Sequence, residues 1–117
     1  MSDLKVDTVT SSSTGTVGRA RSEARGHRIL LDSSSHPQPD AFTNSEAFLA
    51  GVSSCGVTLI EGHAKDTGVP LSRIAVTIEG GRTAAEPNRF ASVTMTFQLA
   101  GVSQAQAESL VETYRGR

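Results

Sequence analysis

The sequence of 117 residues contains a single cysteine, no tryptophan and only 4% aromatic residues. One cysteine cannot close a disulfide within the chain, which argues against a small secreted domain held together by disulfides. Because aromatic residues are scarce, aliphatic side chains must supply most of the core. A chain of this length has the usual size of one domain, so we expect residues 1–117 to form a single domain.

An excess of one charge and long apolar runs are also missing. The formal net charge is -1, so charge balance suggests neither nucleic acid nor a membrane surface as a partner. No apolar run reaches the roughly 18 residues that a membrane-spanning helix needs, and the first residues lack the basic and apolar segments of a secretory signal. We therefore expect a cytoplasmic protein.

Motifs for metals and cofactors are absent as well. The histidines, His27, His36 and His63, lack the short spacing of metal ligands, and neither H-x-x-x-H nor C-x-x-C occurs. The segment "GTVGRA" lacks the glycines and the strand-to-helix context of a phosphate loop, and there is no G-x-S-x-G motif. We expect neither a metal nor a cofactor.

Strand-like segments separated by loop residues occupy the first third of the chain: "LKVDTV", "TVGRARSEA" and "HRILLD". Arg25-Gly26 is predicted to form the tip of a hairpin, which indicates an antiparallel meander. The segment Asp32 to Thr43 contains two prolines among serines and is predicted to be a loop.

A long helix is predicted to follow. Thr43 and Glu46 have the S/T-x-x-E spacing of a capping box, which satisfies unpaired amides at a helix start. Gly68 is a plausible C-terminal stop, with Pro70 just beyond it.

One continuous apolar face runs along this helix at about 100° per residue. Small residues outside that face, such as Gly51, would let another backbone approach. The width of the face indicates burial against a second subunit. The face comprises Phe48, Val52, Cys55 and Leu59 along one line, with Leu49, Gly56, Ile60 and His63 beside it.

Two strands and a second helix are predicted for the remainder. The segments "LSRIAVTIEGGR" and "RFASVTMTFQLAG" alternate with period two, and Ser103 and Gln106 cap a final helix. The order of elements predicts an α+β fold in which helices cover a mostly antiparallel sheet. The predicted inward residues of the strands are Ile74, Val76 and Ile78, and then Ala91, Val93, Met95, Phe97 and Leu99.

Cys55 has two interpretations. Free cysteine is often buried as a small hydrophobic residue, and the middle of a helix offers no field from the helix N-terminus. A thiol becomes a nucleophile when a cation stabilises its thiolate, which can then attack a peroxide. Glu46 could likewise be only a cap, or it could orient a guanidinium beside the thiol. Nine residues place it about 13 Å from Cys55 along one straight helix. The two could not share a site within one subunit unless the helix bends, but they could do so across a dimer interface.

An arginine cluster is the other candidate feature. Arg19, Arg21, Arg25 and Arg28 fall within ten residues. Such a run usually forms a solvated strand face. An alternating strand would point Arg19 and Arg21 to the same side, where one of them could supply a cation for a thiolate. A surface for nucleic acid is disfavoured because no aromatic residues interleave with the arginines.

The segments "EAFLAGVSSC", "HAKDTGVPLSRIAVTIEG" and "FASVTMTFQLAGVSQAQAESLVE" resemble, in this order, the OsmC/Ohr family of osmotically induced and organic hydroperoxide resistance proteins. The resemblance covers the chain from about Arg19 onward. It implies an intertwined homodimer with two long cysteine-bearing helices at its centre. In active members it implies a peroxidase that reduces organic hydroperoxides and is itself reduced by an external thiol or dithiol.

By position, Cys55 resembles the peroxidatic cysteine of the family, Glu46 its glutamate and Arg19 its arginine. The sequence departs from the family pattern before the helix, where Gly-Gly is missing and Asn44 stands in place of a common proline. It also ends where a Cys-Pro with a resolving cysteine would be expected. Three explanations are open: the chain continues, an outside thiol resolves Cys55, or the protein is not a peroxidase. In the last case a small hydrophobic ligand would bind at the dimer interface.

Overall fold

The computed structural model describes residues 4–115. The chain divides between Phe48 and Leu49 into two compact units. The predicted α+β class is confirmed, and the elements follow the predicted order except for one additional short strand before the first helix. The elements are β1 (Thr10–Ser13), β2 (Arg19–Ala24), β3 (His27–Asp32), β4 (Phe42–Thr43), α1 (Asn44–Thr67), β5 (Arg73–Gly81), β6 (Ser92–Ala100) and α2 (Gln104–Arg115).

The first unit contains a four-stranded sheet in the order β1-β2-β3-β4. The pairs β1–β2 and β2–β3 are antiparallel, as the predicted meander requires. Arg25 and Gly26 have φ values of 50° and 82°. Positive φ at both central residues is characteristic of a two-residue type I′ turn, which confirms Arg25-Gly26 as the tip of the hairpin.

Two predictions in this unit were wrong. The first strand is Thr10–Ser13, not the apolar segment Leu4 to Val9, which has no regular structure. Strand β1 pairs with the edge of β2 through its backbone, and Ser11 Oγ lies 2.7 Å from Ser22 Oγ, so this strand requires no apolar side chains. The predicted loop also ends in a strand, because Phe42 and Thr43 pair in parallel with the end of β3. A two-residue strand is too short to show alternation.

The second unit contains the antiparallel hairpin β5–β6, paired from Arg73 opposite Ala100 to Gly81 opposite Ser92. The alternation predicted for β5 is confirmed over its whole length, and that of β6 is confirmed for Met95, Phe97 and Leu99. The prediction was wrong at the start of β6. Val93 is 49% exposed and Ala91 lies outside the strand.

Helix α1 contributes the centre of the core in the second unit. Ile60, Ala64 and Leu110 are almost fully buried, with 1–2% of their surface exposed. A Cβ atom on Gly56 would lie 3.6 Å from the ring of Phe97, an ordinary van der Waals distance, so the helix packs directly on the hairpin at this position. The partly buried residues packed on this core are Val69, Leu71, Ile74, Phe97, Leu99, Val111 and Tyr114.

The predicted ends of α1 are confirmed. The Thr43 N–H donates to Glu46 Oε1 at 2.9 Å, and the Glu46 N–H donates to Thr43 Oγ1 at 3.2 Å. At the other end Gly68 has φ 73°. The Val69 N–H donates to the Ala64 carbonyl and the Gly68 N–H to the Lys65 carbonyl, which is the Schellman arrangement.

Candidate functional site

Cys55 lies on α1 and is exposed. The interpretation of this residue as part of a core-facing stripe is therefore wrong for the single chain. The side of the helix that is buried carries Gly56, Ile60 and Ala64, spaced four residues apart, and Cys55 is rotated from it by about 100°. Two other members of the predicted apolar face, Phe48 and Leu59, are also exposed, at 60% and 38%.

The local environment of Cys55 does not by itself favour a thiolate. The residue lies eleven positions after Asn44, the first residue of α1, or about 16 Å from the helix N-terminus. The favourable field of a helix N-terminus does not extend beyond the first turn. A positive group from elsewhere is needed to activate this thiol.

Glu46 occupies the first turn of α1, where its carboxylate completes the capping box with Thr43. A carboxylate is favourable there because it interacts with the positive end of the helix dipole. The interpretation of Glu46 as a cap is thus confirmed, and it does not exclude a further role.

Arg19 begins β2, and its guanidinium is held by two carboxylates. Its Nε donates to Asp32 Oδ1 at 2.7 Å and its Nη2 donates to Asp32 Oδ2 at 3.1 Å. The same Nη2 donates to Asp40 Oδ1 at 2.6 Å, and Nη1 donates to Asp40 Oδ2 at 3.1 Å. We call Arg19, Asp32 and Asp40 the Arg19 clamp. Each carboxylate accepts two bonds, which fixes the plane of the guanidinium.

Charge stabilises this clamp in the ionised form. Hydrogen bonds from Arg19 hold the pKa of both Asp32 and Asp40 below their ordinary values. The same bonds, first to Asp32 and then to Asp40, raise the pKa of Arg19. Asp32 also accepts the Gln38 N–H at 3.2 Å, so the clamp ties the loop after β3 to the sheet.

The clamp lines an open cavity of about 530 Å³ in the first unit. The cavity also receives His36 and the backbone turn before Arg19. Its walls combine charged and apolar groups, and the guanidinium is the permanent cation among them. The lining residues are Thr16, Val17, Gly18, Arg19, Asp32, His36, Gln38, Pro39 and Asp40.

Sequence reasoning missed Asp32 and Asp40 as site residues, but a signal for Asp32 was available. Once Arg25-Gly26 is taken as a two-residue tip, counting six residues in each direction places Arg19 opposite Asp32, as the structure has it. Opposite charges directly across two antiparallel strands attract each other. Asp40 lies in the following loop, where no register predicts its partner.

The three predicted site residues fall in different surroundings. Arg19 and Glu46 belong to the first unit and have separate partners, while Cys55 belongs to the second. Their joint role stays a prediction. Within residues 4–115, no group of three or more His, Cys, Asp or Glu side chains is arranged to hold a metal ion. In the same residues, no helix has the length and apolar character to cross a membrane.

Acidification is expected to weaken the first unit through the clamp. Because the pKa of Asp32 and Asp40 is lowered in the folded state, their stabilising effect is complete above the ordinary carboxyl pKa of about 4 and is lost as the pH falls below it. Thermal unfolding followed by circular dichroism between about pH 5 and pH 2.5 should show this loss. In Arg19→Met the loss of thermal stability on acidification should be smaller or reversed. The same dependence of stability on pH in this variant and in the unmodified chain would contradict the stabilising role of the clamp.

The described chain has a four-stranded sheet, then a long helix that carries Cys55, then a β-hairpin and a second helix. No protein-family model and no curated protein matches the sequence, whereas 24 chains of solved structures match the fold.

Three of these structures illustrate the likeness. An OsmC-like protein from Mycoplasma pneumoniae has a TM-score of 0.82 and 13% identity over 97% of this chain and 82% of that one. An OsmC-like protein of unknown function from Vibrio cholerae has a TM-score of 0.76 and 18% identity, over 94% and 87%. An organic hydroperoxide resistance protein from Elizabethkingia anophelis has 0.72 and 19%, over 96% and 82%. These likenesses confirm the predicted OsmC-like fold.

Proposed function

We propose that this chain is a thiol-dependent peroxidase of the OsmC/Ohr family that reduces organic hydroperoxides in defence against oxidative stress, with Cys55 as its nucleophile. The observation that carries the proposal is the exposure of Cys55, the only thiol of the sequence, on the long helix of this fold. An exposed thiol can meet a peroxide without any opening of the core. One solved structure with the same fold is an organic hydroperoxide resistance protein.

In the proposed reaction the Cys55 thiolate attacks the terminal oxygen of a hydroperoxide, R–O–OH. A sulfur–oxygen bond forms, the oxygen–oxygen bond breaks with both its electrons, and RO⁻ leaves and takes a proton from water to give the alcohol. The sulfur is oxidised to a sulfenic acid. Two equivalents of an external thiol, or one dithiol, then supply two electrons, which restores the Cys55 thiol and releases water and a disulfide.

Arg19 is the cation we assign to this reaction. The mid-helix position of Cys55 supplies no stabilising field of its own, so a thiolate at neutral pH requires a positive neighbour. The guanidinium would stabilise both the thiolate and the departing oxygen. Glu46 is assigned as a positioning residue for the guanidinium, in addition to its bond with Thr43.

A homodimer belongs to this proposal. Phe48 and Leu59 are large apolar side chains exposed on α1, and a second copy of the chain would cover them. The distance of about 13 Å between Glu46 and Cys55 along one helix also favours a site to which both copies contribute.

Stoichiometric consumption of peroxide tests the proposed function. With cumene hydroperoxide in excess and no reductant, one equivalent per protomer should be consumed and the reaction should then stop. A dithiol should restore consumption, with one equivalent reduced for each dithiol oxidised. Consumption no faster than in buffer containing free cysteine at the same concentration would refute the proposal.

Glu46→Gln separates the two roles of Glu46. Glutamine keeps an acceptor for the Thr43 N–H and is the usual alternative in a capping box, so stability should change by less than about 0.5 kcal/mol. If the carboxylate also orients the guanidinium, the rate of peroxide reduction should fall by about tenfold or more. The measurements are urea unfolding and the initial rate of peroxide reduction. The control is Gln106→Glu, which makes the reverse exchange in the capping box of α2. An unchanged rate would leave Glu46 as a cap only.

A second function is favoured by the same exposed side chains. In this alternative a small hydrophobic ligand binds at the dimer interface, in a protein that does not react with peroxides. Binding of a fluorescent apolar probe then should be the same in Cys55→Ala as in the unmodified chain. A probe displaced by hydroperoxides only while the Cys55 thiol is present would favour the peroxidase.

A further inference from the structure

The Arg19 clamp leaves little of the guanidinium available. An arginine side chain has five N–H donors, and four of those of Arg19 are directed to Asp32 and Asp40. One N–H of Nη1 has no partner among residues 4–115. In this arrangement two negative charges neutralise the cation, so it can stabilise a further anion only weakly.

The two carboxylates of the clamp are not equivalent. Asp32 is 1% exposed and lies directly opposite Arg19 in the β2–β3 ladder, whereas the side chain of Asp40 is 65% exposed and belongs to the loop between β3 and β4. Removing the bond to Asp32 would leave a buried carboxylate without its cation, which is costly. Asp40 can instead turn into water, where its charge is solvated at little cost.

The two carboxylates also bind different edges of the guanidinium. Asp32 takes Nε and Nη2, while Asp40 takes Nη1 and Nη2. Release of Asp40 therefore frees two N–H groups, one on Nη1 and one on Nη2, in addition to the Nη1 N–H that already has no partner. The bond pair to Asp32 still fixes the orientation of the plane. A planar fork of this kind matches an anion that accepts two bonds.

We propose that Asp40 is a displaceable latch on the cation of the site: Arg19 remains bonded to Asp32 and exchanges Asp40 for the thiolate sulfur or the leaving oxygen of the reaction. This inference rests on the proposed function, in which Arg19 serves Cys55. Asp32 and Asp40 are then positioning residues with opposite effects. Asp32 keeps the guanidinium in place, and Asp40 competes for it.

Asp40→Asn tests the latch. Asparagine keeps the size of the side chain but removes the competing charge, so the thiol pKa of Cys55 should fall by up to one unit. A fall of one unit raises the thiolate fraction about tenfold at pH values below the pKa. The less basic thiolate is also a weaker nucleophile, so the rate per thiolate falls about threefold. The rate with cumene hydroperoxide at pH 7 should rise about threefold, and Asp32→Asn should lower it.

The thiol pKa is measured from the rate of alkylation of Cys55 by iodoacetamide between about pH 7 and pH 10. Asp40→Glu, which keeps the carboxylate, should behave like the unmodified chain. Asp7→Asn, which removes an exposed carboxylate elsewhere, should do the same. The alkylation measurement does not depend on peroxidase activity.

The outcomes separate the latch from the proposed function. If Asp40→Asn alters neither the thiol pKa nor the rate while Arg19→Met lowers the rate, the latch is wrong and the peroxidase stands. If the chain does not reduce peroxides but Asp40→Asn still lowers the thiol pKa, the latch stands and the peroxidase is wrong. An equal effect of Asp7→Asn would also overturn the latch, because it would reduce the effect to net charge.

Discussion

Cys55→Ser is expected to lose hydroperoxide reduction completely, down to the uncatalysed rate in buffer. Serine has nearly the same shape, but its hydroxyl is not ionised at neutral pH and cannot replace a thiolate as nucleophile. The sequence holds no second thiol that could take over the reaction. Initial rates with cumene hydroperoxide and an excess of dithiol are the measurement.

The fold of this variant should be unaffected. Cys55 is exposed in the chain, so the exchange removes no packing from the core and should alter the free energy of unfolding by less than about 0.5 kcal/mol. A loss of activity together with an unchanged unfolding curve would therefore locate the effect in the chemistry. A variant that retains reduction at more than a few per cent of the original rate would contradict the assignment of Cys55.

Ile60→Ala is expected to cost about 2–5 kcal/mol of unfolding free energy. Ile60 is 1% exposed and lies in the core with Ala64 and Leu110, so truncation leaves a cavity that its neighbours fill only in part. A domain of this size is usually stable by about 5–15 kcal/mol. The variant should thus lose a large share of its stability, as measured by urea unfolding at a fixed protein concentration.

Leu59→Ala is the matched control because it removes an aliphatic side chain from the adjacent position of the same helix. Leu59 is 38% exposed in the single chain, so its truncation should cost less than Ile60→Ala and should instead weaken the association of two copies. Sedimentation velocity over a range of protein concentrations measures this association. Equal losses of unfolding free energy in the two variants would contradict the assignment of the buried side of α1.

The features that were predictable from the sequence are those set by local chemistry. The capping boxes at Thr43 and Ser103 require only two side chains at fixed spacing, and the turn at Arg25-Gly26 requires only a tolerance for positive φ. The alternation of β5 was clear because one side of that strand is half-buried along its whole length. Each of these signals lies within a few residues.

The predictions that were wrong concerned which surfaces of the chain pack against each other. Leu4, Val6 and Val9 are apolar residues of a segment predicted to be a strand, but they are exposed, because an apolar segment forms a strand only where a partner edge and a core are available. The apolar face of α1 is wider than one layer of packing can cover. Periodicity placed Cys55 and Ile60 together on that face, and only the three-dimensional structure shows that the chain buries Ile60 and leaves Cys55 exposed.

The candidate site also combines a contact that local sequence predicts with one that depends on the tertiary structure. The ion pair of Arg19 with Asp32 follows from the hairpin register, while the bond from Arg19 to Asp40 depends on the path of a loop rich in proline and serine. The resemblance to a family supplied the assignment of Cys55, Glu46 and Arg19. The structure adds that this arginine is already occupied by two carboxylates, which is the basis of the proposed latch.

Trapping of the oxidised thiol tests the central claim most directly. The protein is treated with one equivalent of cumene hydroperoxide in the presence of dimedone, which reacts with sulfenic acids, and is then digested and analysed by mass spectrometry. The account predicts one dimedone adduct per protomer, on Cys55, formed far faster than in the protein unfolded in urea. An unmodified Cys55, or equal modification of the folded and unfolded chains, would show that this thiol has no special reactivity.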